Sequence, residues 1–284
     1  MVKPLNPLPS LRKMSSKNKQ TVVITGASSG IGKALAQAYS ALGYQVVING
    51  RTLQTLETTR KELEKYGNKV LVVTGDVAIE KDCKTLIDKT IEEFGRLDIL
   101  INNAGISMRA VFKDMELSVI ERVMAINFWG TVYCTKYALP YLLESKGSVV
   151  GISSIAGYKG LPGRTGYSAS KFAMQGFLES LRLENLNTGL HVLIACPGYT
   201  ASNIRNVALS ADGSAQGETP FEEGNLMSAE EVASHIVSSV RSRKDRLVLT
   251  RQGKLLVFLN KFFPKWVDHL VYNTVSKEAN SPFK

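Results

Sequence analysis

Tyr167 and Lys171 stand four residues apart in the run Tyr167-Ser-Ala-Ser-Lys171. On a helix that spacing puts a phenol and an ammonium on one face. A phenol with a pKa near ~10 exchanges protons poorly at neutral pH unless a nearby cation lowers it, and Lys171 is such a cation. The chemistry open to the pair is proton transfer to or from an oxygen. Spacing alone does not distinguish this from a structural pair, since helices often carry such neighbours.

A second constellation is Thr25-Gly-Ala-Ser-Ser-Gly-Ile-Gly32, between an apolar run and a helical pattern. Gly26, Gly30 and Gly32 would let backbone approach a pyrophosphate closely, and the following helix would offer it N–H groups and a positive dipole. A bland tight turn also needs glycine. The strand–turn–helix setting favours a dinucleotide, although the spacing departs from G-x-G-x-x-G. The next apolar run ends in Asn49-Gly50-Arg51. An NAD site usually places an acid there, whereas a guanidinium suits the 2′-phosphate of NADP. The expected cofactor is therefore NADP(H), with an ordinary surface arginine as the alternative reading of Arg51. Asp76 either accepts from an adenine amino group or serves a turn.

Elements that would position these groups follow from apolar periodicity. Short Val- and Ile-rich runs occupy Thr21–Thr25, Val46–Asn49, Val70–Thr74, Ile99–Asn102, Ser148–Ile152, Val192–Ala195 and Leu247–Thr250. None alternates cleanly, so both faces should be covered by helices, as in a parallel sheet. Between the first two runs, Ala34, Leu35, Ala38, Tyr39 and Leu42 recur at helical spacing, with Gly43 placed to end the helix. Ser228-Ala-Glu-Glu231 is a capping box that opens a later helix. Seven strands with interposed helices predict an α/β, doubly wound sheet. The stretch 199–227 lacks periodicity and follows a strand's carboxyl end, where open sheets bind ligands, so a mobile substrate loop is expected.

The 284 residues are 44% hydrophobic and 21% charged, with a mean hydropathy of -0.03. Those values exclude intrinsic disorder, and no apolar stretch reaches the ~18 residues of a membrane span. Three widely spaced cysteines (Cys83, Cys134, Cys196) argue against a disulfide framework and for a reduced, cytoplasmic compartment. The histidines lack metal-ligand spacing. The net charge of +10 sits at the ends. Residues 1–19 hold five cations and no acid, and residues 241–265 hold eight cations against Asp245 alone. The near-neutral body argues against nucleic acid as a partner. Residues 1–19, with three prolines, read as a disordered basic tail in which either Met1 or Met14 is the native start. Residues 20–251 read as the cofactor-binding catalytic domain and 252–284 as an amphipathic, basic, aromatic extension. That extension packs on its own domain, meets a partner subunit, or lies peripherally on a membrane.

Taken in order, TGASSGIG (25–32), NNAG (102–105), Asn127, Ser154 thirteen before Tyr167, YSASK (167–171) and Pro197-Gly198 resemble the short-chain dehydrogenase/reductase family over about residues 21–250. The resemblance implies a three-layer doubly wound Rossmann fold with a seven-stranded parallel sheet. It implies a catalytic set of Asn127, Ser154, Tyr167 and Lys171, with Tyr167 as general acid or base and Ser154 bonding the carbonyl oxygen. Ser153 would point to the strand's other side. Asn127 would organise a water that links Lys171 to solvent, or make backbone hydrogen bonds in a kinked helix. Cofactor contacts carried over are Gly26, Ser28, Ser29, Gly30 and Ile31 at the turn, then Arg51, Asp76 and Val77. They continue with Asn103, Ala104 and Gly105, with Tyr167 and Lys171, and with Pro197, Gly198 and Thr200. A family threonine two residues beyond Thr200 is replaced by Ser202.

The implied reaction is metal-free hydride transfer between NADP(H) and a small-molecule carbonyl or alcohol. Met108, Arg109, Tyr158, Leu161 and Arg164 are expected near the substrate. Met, Leu and Tyr favour a lipophilic one, while the two arginines either greet a carboxylate or are solvated. In relatives the helices holding Asn127 and Tyr167 pair between subunits, which implies a homodimer or homotetramer. The competing class is a non-catalytic NADP-binding or membrane-associated interaction protein on the same fold.

Overall fold

Runs that are apolar on both faces are stable only between two helical layers, and the chain folds accordingly. A computed structural model describes residues 19–198, 200, 204, 207–217, 226–278, 281 and 283. The expected tail up to residue 18 and its two candidate start methionines lie outside the described residues.

The strands are β1 (Thr21–Ile24), β2 (Gln45–Gly50), β3 (Val70–Thr74), β4 (Ile99–Asn102), β5 (Ser148–Ile152), β6 (His191–Cys196) and β7 (Arg246–Val248). All pair in parallel, in the order β3-β2-β1-β4-β5-β6-β7. Direction reverses between β1 and β4, which opens a crevice at the strands' carboxyl ends. Successive residues feed opposite cores. Val23, Val47, Leu100 and Val149 join one cluster, while Val22, Val46, Ile101 and Val150 join the other.

The helices are α1 (Gly30–Ala41), α2 (Leu53–Leu63), α3 (Glu80–Phe94), α4 (Leu117–Met124), α5 (Gly130–Glu144), α6 (Thr165–Glu184), α7 (Ala229–Arg241), α8 (Arg251–Phe262) and α9 (Pro264–Ser276). On one face of the sheet Leu35 of α1, Leu56 of α2 and Ile236 of α7 are buried; on the other, Leu86 of α3, Leu142 of α5 and Leu178 of α6. The three-layer arrangement predicted from the apolar runs is therefore present. The capping box is also present: Glu231 N donates to Ser228 Oγ at 3.1 Å, and Ser228 N donates to Glu231 Oε2 at 3.1 Å.

Strand ends shift by one or two residues from the sequence reading, and two differences bear on the site. β7 ends at Val248, not Thr250, because Thr250 takes a φ of 63° and caps α8, its hydroxyl accepting from Gly253 N at 3.0 Å. The described part of the 199–227 stretch is tied down. Leu209 bridges to Met108 and Ala215, Thr200 bridges to Met227, and Leu209 is buried. The remaining residues of the expected mobile loop, Ser202 among them, lie outside the described residues.

Beyond β7 the extension forms two helices. Val267, Val271 and Val275 of α9 pack with Leu161, Leu256 and Leu259. Other large apolar side chains of the two helices are exposed, Phe258 58%, Phe262 62% and Trp266 55%, and Trp266 also borders the cavity described below. No helix among the described residues is long and apolar enough to cross a membrane.

Candidate active site

β1 and β4 end side by side, and hydrogen bonds lock their loops together. Thr25 Oγ1 accepts from both Asn103 N and Ala104 N at 3.0 Å, while Asn103 Nδ2 donates to Thr25 O at 2.8 Å and Gly26 O at 3.0 Å. This junction leaves no room for side chains. Gly26 has a φ of 63°, and a Cβ on Gly32 would lie 2.3 Å from the Gly26 carbonyl oxygen. Ser29 precedes α1 in extended conformation without capping it, and the first turn of α1 holds no acidic residue. Uncapped N–H groups above a glycine cradle suit a phosphate. At the end of β2 Arg51 is exposed. Asp76 serves a turn, its Oδ1 accepting from Ala78 N at 2.9 Å and its N–H held by Asp82 Oδ2 at 2.9 Å, and it also borders the cavity where an adenine contact was expected.

At the other end, β5 delivers two serines that point apart, as the strand's alternation requires. Ser153 Oγ accepts from Gln175 Nε2 at 2.9 Å, away from the phenol. Ser154 Oγ accepts from Ala156 N at 3.2 Å and pairs with the Tyr167 hydroxyl. One turn along α6, Lys171 Nζ lies 5.7 Å from the centre of the Tyr167 ring and donates to Ile152 O at 2.8 Å.

Asn127 sits in a π-helical turn, Ala125–Trp129, between α4 and α5. Its amide is engaged on three sides. Nδ2 donates to Ile106 O and Ser170 Oγ at 2.9 Å, and Oδ1 accepts from Ile106 N at 2.9 Å. Asn127 thus fastens the loop after β4 to α6. A Cβ at Gly105 would fall 3.2 Å from Asn127 Oδ1 and 3.6 Å from Lys171 Nζ, so glycine keeps this junction narrow.

Burial dominates the electrostatics. It pushes the Tyr167 phenol above its ordinary value, against the hydrogen bond from Ser154 and the positive charge of Arg164. Besides Lys171, which the sequence reading expects to lower this phenol, Ser154 and Arg164 oppose the effect of burial. Burial also brings the Lys171 ammonium down to about 8. At neutral pH the phenol is protonated and the ammonium is mostly charged.

A single cavity of about 980 Å³ joins the two ends. Gly26, Ser28, Ser29, Gly30, Ile31, Arg51, Asp76 and Val77 line one stretch. Asn103, Ala104, Gly105, Ser154, Tyr167, Lys171, Pro197, Gly198 and Thr200 line the rest. Of the four expected catalytic residues, Ser154, Tyr167 and Lys171 line it and Asn127 does not. Thr200 Oγ1 donates to Gly198 O at 3.2 Å.

Several substrate-side expectations change. Met108 is fully buried against Gly166 and does not line the cavity, because its bridge to Leu209 draws it under the loop. Tyr158 does not line it either; its hydroxyl turns toward Cys196 and Arg246, and burial pushes it up to about 12. Arg109 and Arg164 are not solvated but share the carboxylate of Glu278. Leu161 lines the cavity as expected.

Sequence reasoning missed that α8 and α9 form a wall, through Leu256, Leu259, Val267, Val271 and Val275. The i, i+4, i+8 spacing of Val267, Val271 and Val275 was the available signal. Thr250 was also missed: a Cβ on Gly198 would come within 2.7 Å of its methyl group.

Comparison with known proteins gives this geometry a context. The profile of the short chain dehydrogenase family matches residues 20–212. The "Dehydrogenase/reductase SDR family protein 7-like" of Dictyostelium discoideum is 35% identical over 280 residues, covering 95% of this chain and 87% of the relative. A short chain dehydrogenase/reductase from Burkholderia phymatum, solved in complex with NAD, superposes with a TM-score of 0.78 at 22% identity, over 89% of this chain and 96% of its own. An alcohol dehydrogenase from the archaeon Thermococcus sibiricus, solved with 5-hydroxy-NADP, gives 0.71 at 23% identity, over 81% and 94%. At such identities the two structures speak for the fold.

Proposed function

The chain belongs to the short-chain dehydrogenase/reductase family, and from that premise we propose that it is an NADP(H)-dependent oxidoreductase interconverting a lipophilic carbonyl compound and its alcohol. The observation that supports this most is the continuous cavity from Arg51 and the glycine turn to the Ser154–Tyr167–Lys171 cluster. A dinucleotide fits the chain's own features: the cradle a Cβ would fill at Gly26 and Gly32, the uncapped start of α1, and a cation at the end of β2. Bound there, the nicotinamide supplies or accepts the hydride.

Everything else falls to side chains. In reduction Tyr167 passes its hydroxyl proton to the carbonyl oxygen as the carbon gains hydride, and in oxidation it takes that proton back. Ser154 stabilises negative charge developing on the same oxygen. Lys171 provides positive charge beside the phenolate that forms, and a donor for the nicotinamide ribose. Asn127 is a positioning residue that fixes α6 against the loop after β4. Apolar residues from Leu161, α8 and α9 favour a lipophilic substrate.

The outer faces of the molecule carry two further proposals. Trp129 and Phe172, each 46% exposed, lie on the helices expected to pair in a homodimer or homotetramer. Phe258, Phe262 and Trp266, beside Lys254, Lys261 and Lys265, form a face suited to an anionic membrane interface.

Three measurements test these readings. Tyr167→Phe should reduce turnover by about a hundredfold or more while NADPH binding stays near that of the native chain. Unchanged turnover would remove the proton-transfer role. Arg51→Asp should weaken NADPH by about tenfold to a hundredfold and move preference toward NADH, whereas equal weakening of both cofactors contradicts the phosphate clamp. Sedimentation with and without vesicles should show a dimer or tetramer alone and co-pelleting with anionic but not zwitterionic lipid. A monomer that ignores both vesicle types would refute both surface proposals.

A further inference from the structure

Arg164 closes the loop that follows β5, three residues before Tyr167, and lines the cavity. Its side chain is only 13% exposed. The counter-charge is Glu278, just past α9 and 5% exposed. Glu278 Oε2 accepts a hydrogen bond from Arg109 Nη2 at 3.0 Å but lies 4.0 Å from Arg164 Nη2. Its other oxygen, Oε1, is buried and finds no hydrogen-bond partner among the described residues. One carboxylate thus faces two guanidiniums and is committed to the one outside the cavity. Arg164, whose contact with Glu278 is the longer of the two, faces the cavity.

A buried cation is costly unless it meets an anion. The cofactor's phosphates are not that anion if they lie on the glycine turn and Arg51, which belong to β1 and β2. Arg164 belongs instead to the wall shared with Leu161, Val267 and Val271. It lies close enough to the reacting hydroxyl for its charge to act on Tyr167. A planar guanidinium on an apolar wall matches a carboxylate attached to a hydrocarbon body, because paired N–H donors meet both oxygens away from competing water.

We propose that the cavity is built for a lipophilic carbonyl compound bearing a carboxylate remote from the reacting carbon, and that Arg164 is the residue that anchors it. This specificity rests on the reductase reading above. Glu278 holds Arg109 more closely than Arg164, so a substrate carboxylate would complete the pairing of Arg164.

The test is NADPH-dependent reduction of straight-chain keto acids of increasing length, each against its methyl ester. For at least one length, kcat/KM should favour the acid by about tenfold or more. Arg164→Gln should bring the acid-to-ester ratio toward unity, with ester turnover reporting that the variant is folded. Glu278→Gln, which removes the competing carboxylate, should raise the ratio. Acid and ester reduced equally at every length, or an acid preference that survives Arg164→Gln, overturns the inference and leaves the reductase reading standing. No reduction of any member, nor of simple ketones and aldehydes, overturns the reductase reading and this inference with it.

Discussion

Where β5 ends, an ammonium and a phenol are buried together, and an ammonium taken out of water is stable only if its donors are met. Lys171 has one of its three donors met by the carbonyl of Ile152 at 2.8 Å, and Tyr167 pairs with Ser154. Both partners come from β5 and the turn that follows it, and both buried groups from α6. Their relative placement therefore depends on how α6 lies across the sheet. Burial also sets the resting protonation states, holding the phenol neutral and bringing the ammonium within reach of deprotonation.

The surrounding structure serves that placement. Asn127 can clasp Ile106 and Ser170 together because its π-helical turn offsets it from the regular α-helical path. At the opposite end, Thr25 and Asn103 knit the loops of β1 and β4, so the glycine turn and the catalytic cluster share one rigid frame. The C-terminal hairpin closes the remaining side with α9 valines. Glu278 then carries the end of the chain back to the two arginines, coupling that wall to the loop that leads into Tyr167.

What the sequence revealed was whatever depends on local pattern. The apolar runs located all seven strands to within two residues at each end, because each is a short stretch buried on both faces. The glycine turn, Arg51, Ser154, Tyr167 and Lys171 came together because parallel strands carry their following loops to one edge of the sheet. Contacts between distant segments were not legible. Nothing local announces that Glu278 reaches Arg109 across most of the chain or that Met108 is drawn under Leu209, and the valine spacing of α9 marks an apolar face without saying that it covers the cavity. The remainder of the phenol's electrostatic setting was not legible for the same reason. Helical spacing reveals Lys171, but only the tertiary fold reveals burial and the approach of Arg164.

The most direct measurement of the central claim is the pH dependence of carbonyl reduction at saturating NADPH, taken for the native chain and for Lys171→Arg. Lys171 is charged below a pKa of about 8 and neutral above it. The account therefore predicts a rate sustained through neutrality that declines as pH rises past that point, with the decline moved upward by the arginine. A profile flat across that range, or a decline that the arginine leaves in place, would contradict it.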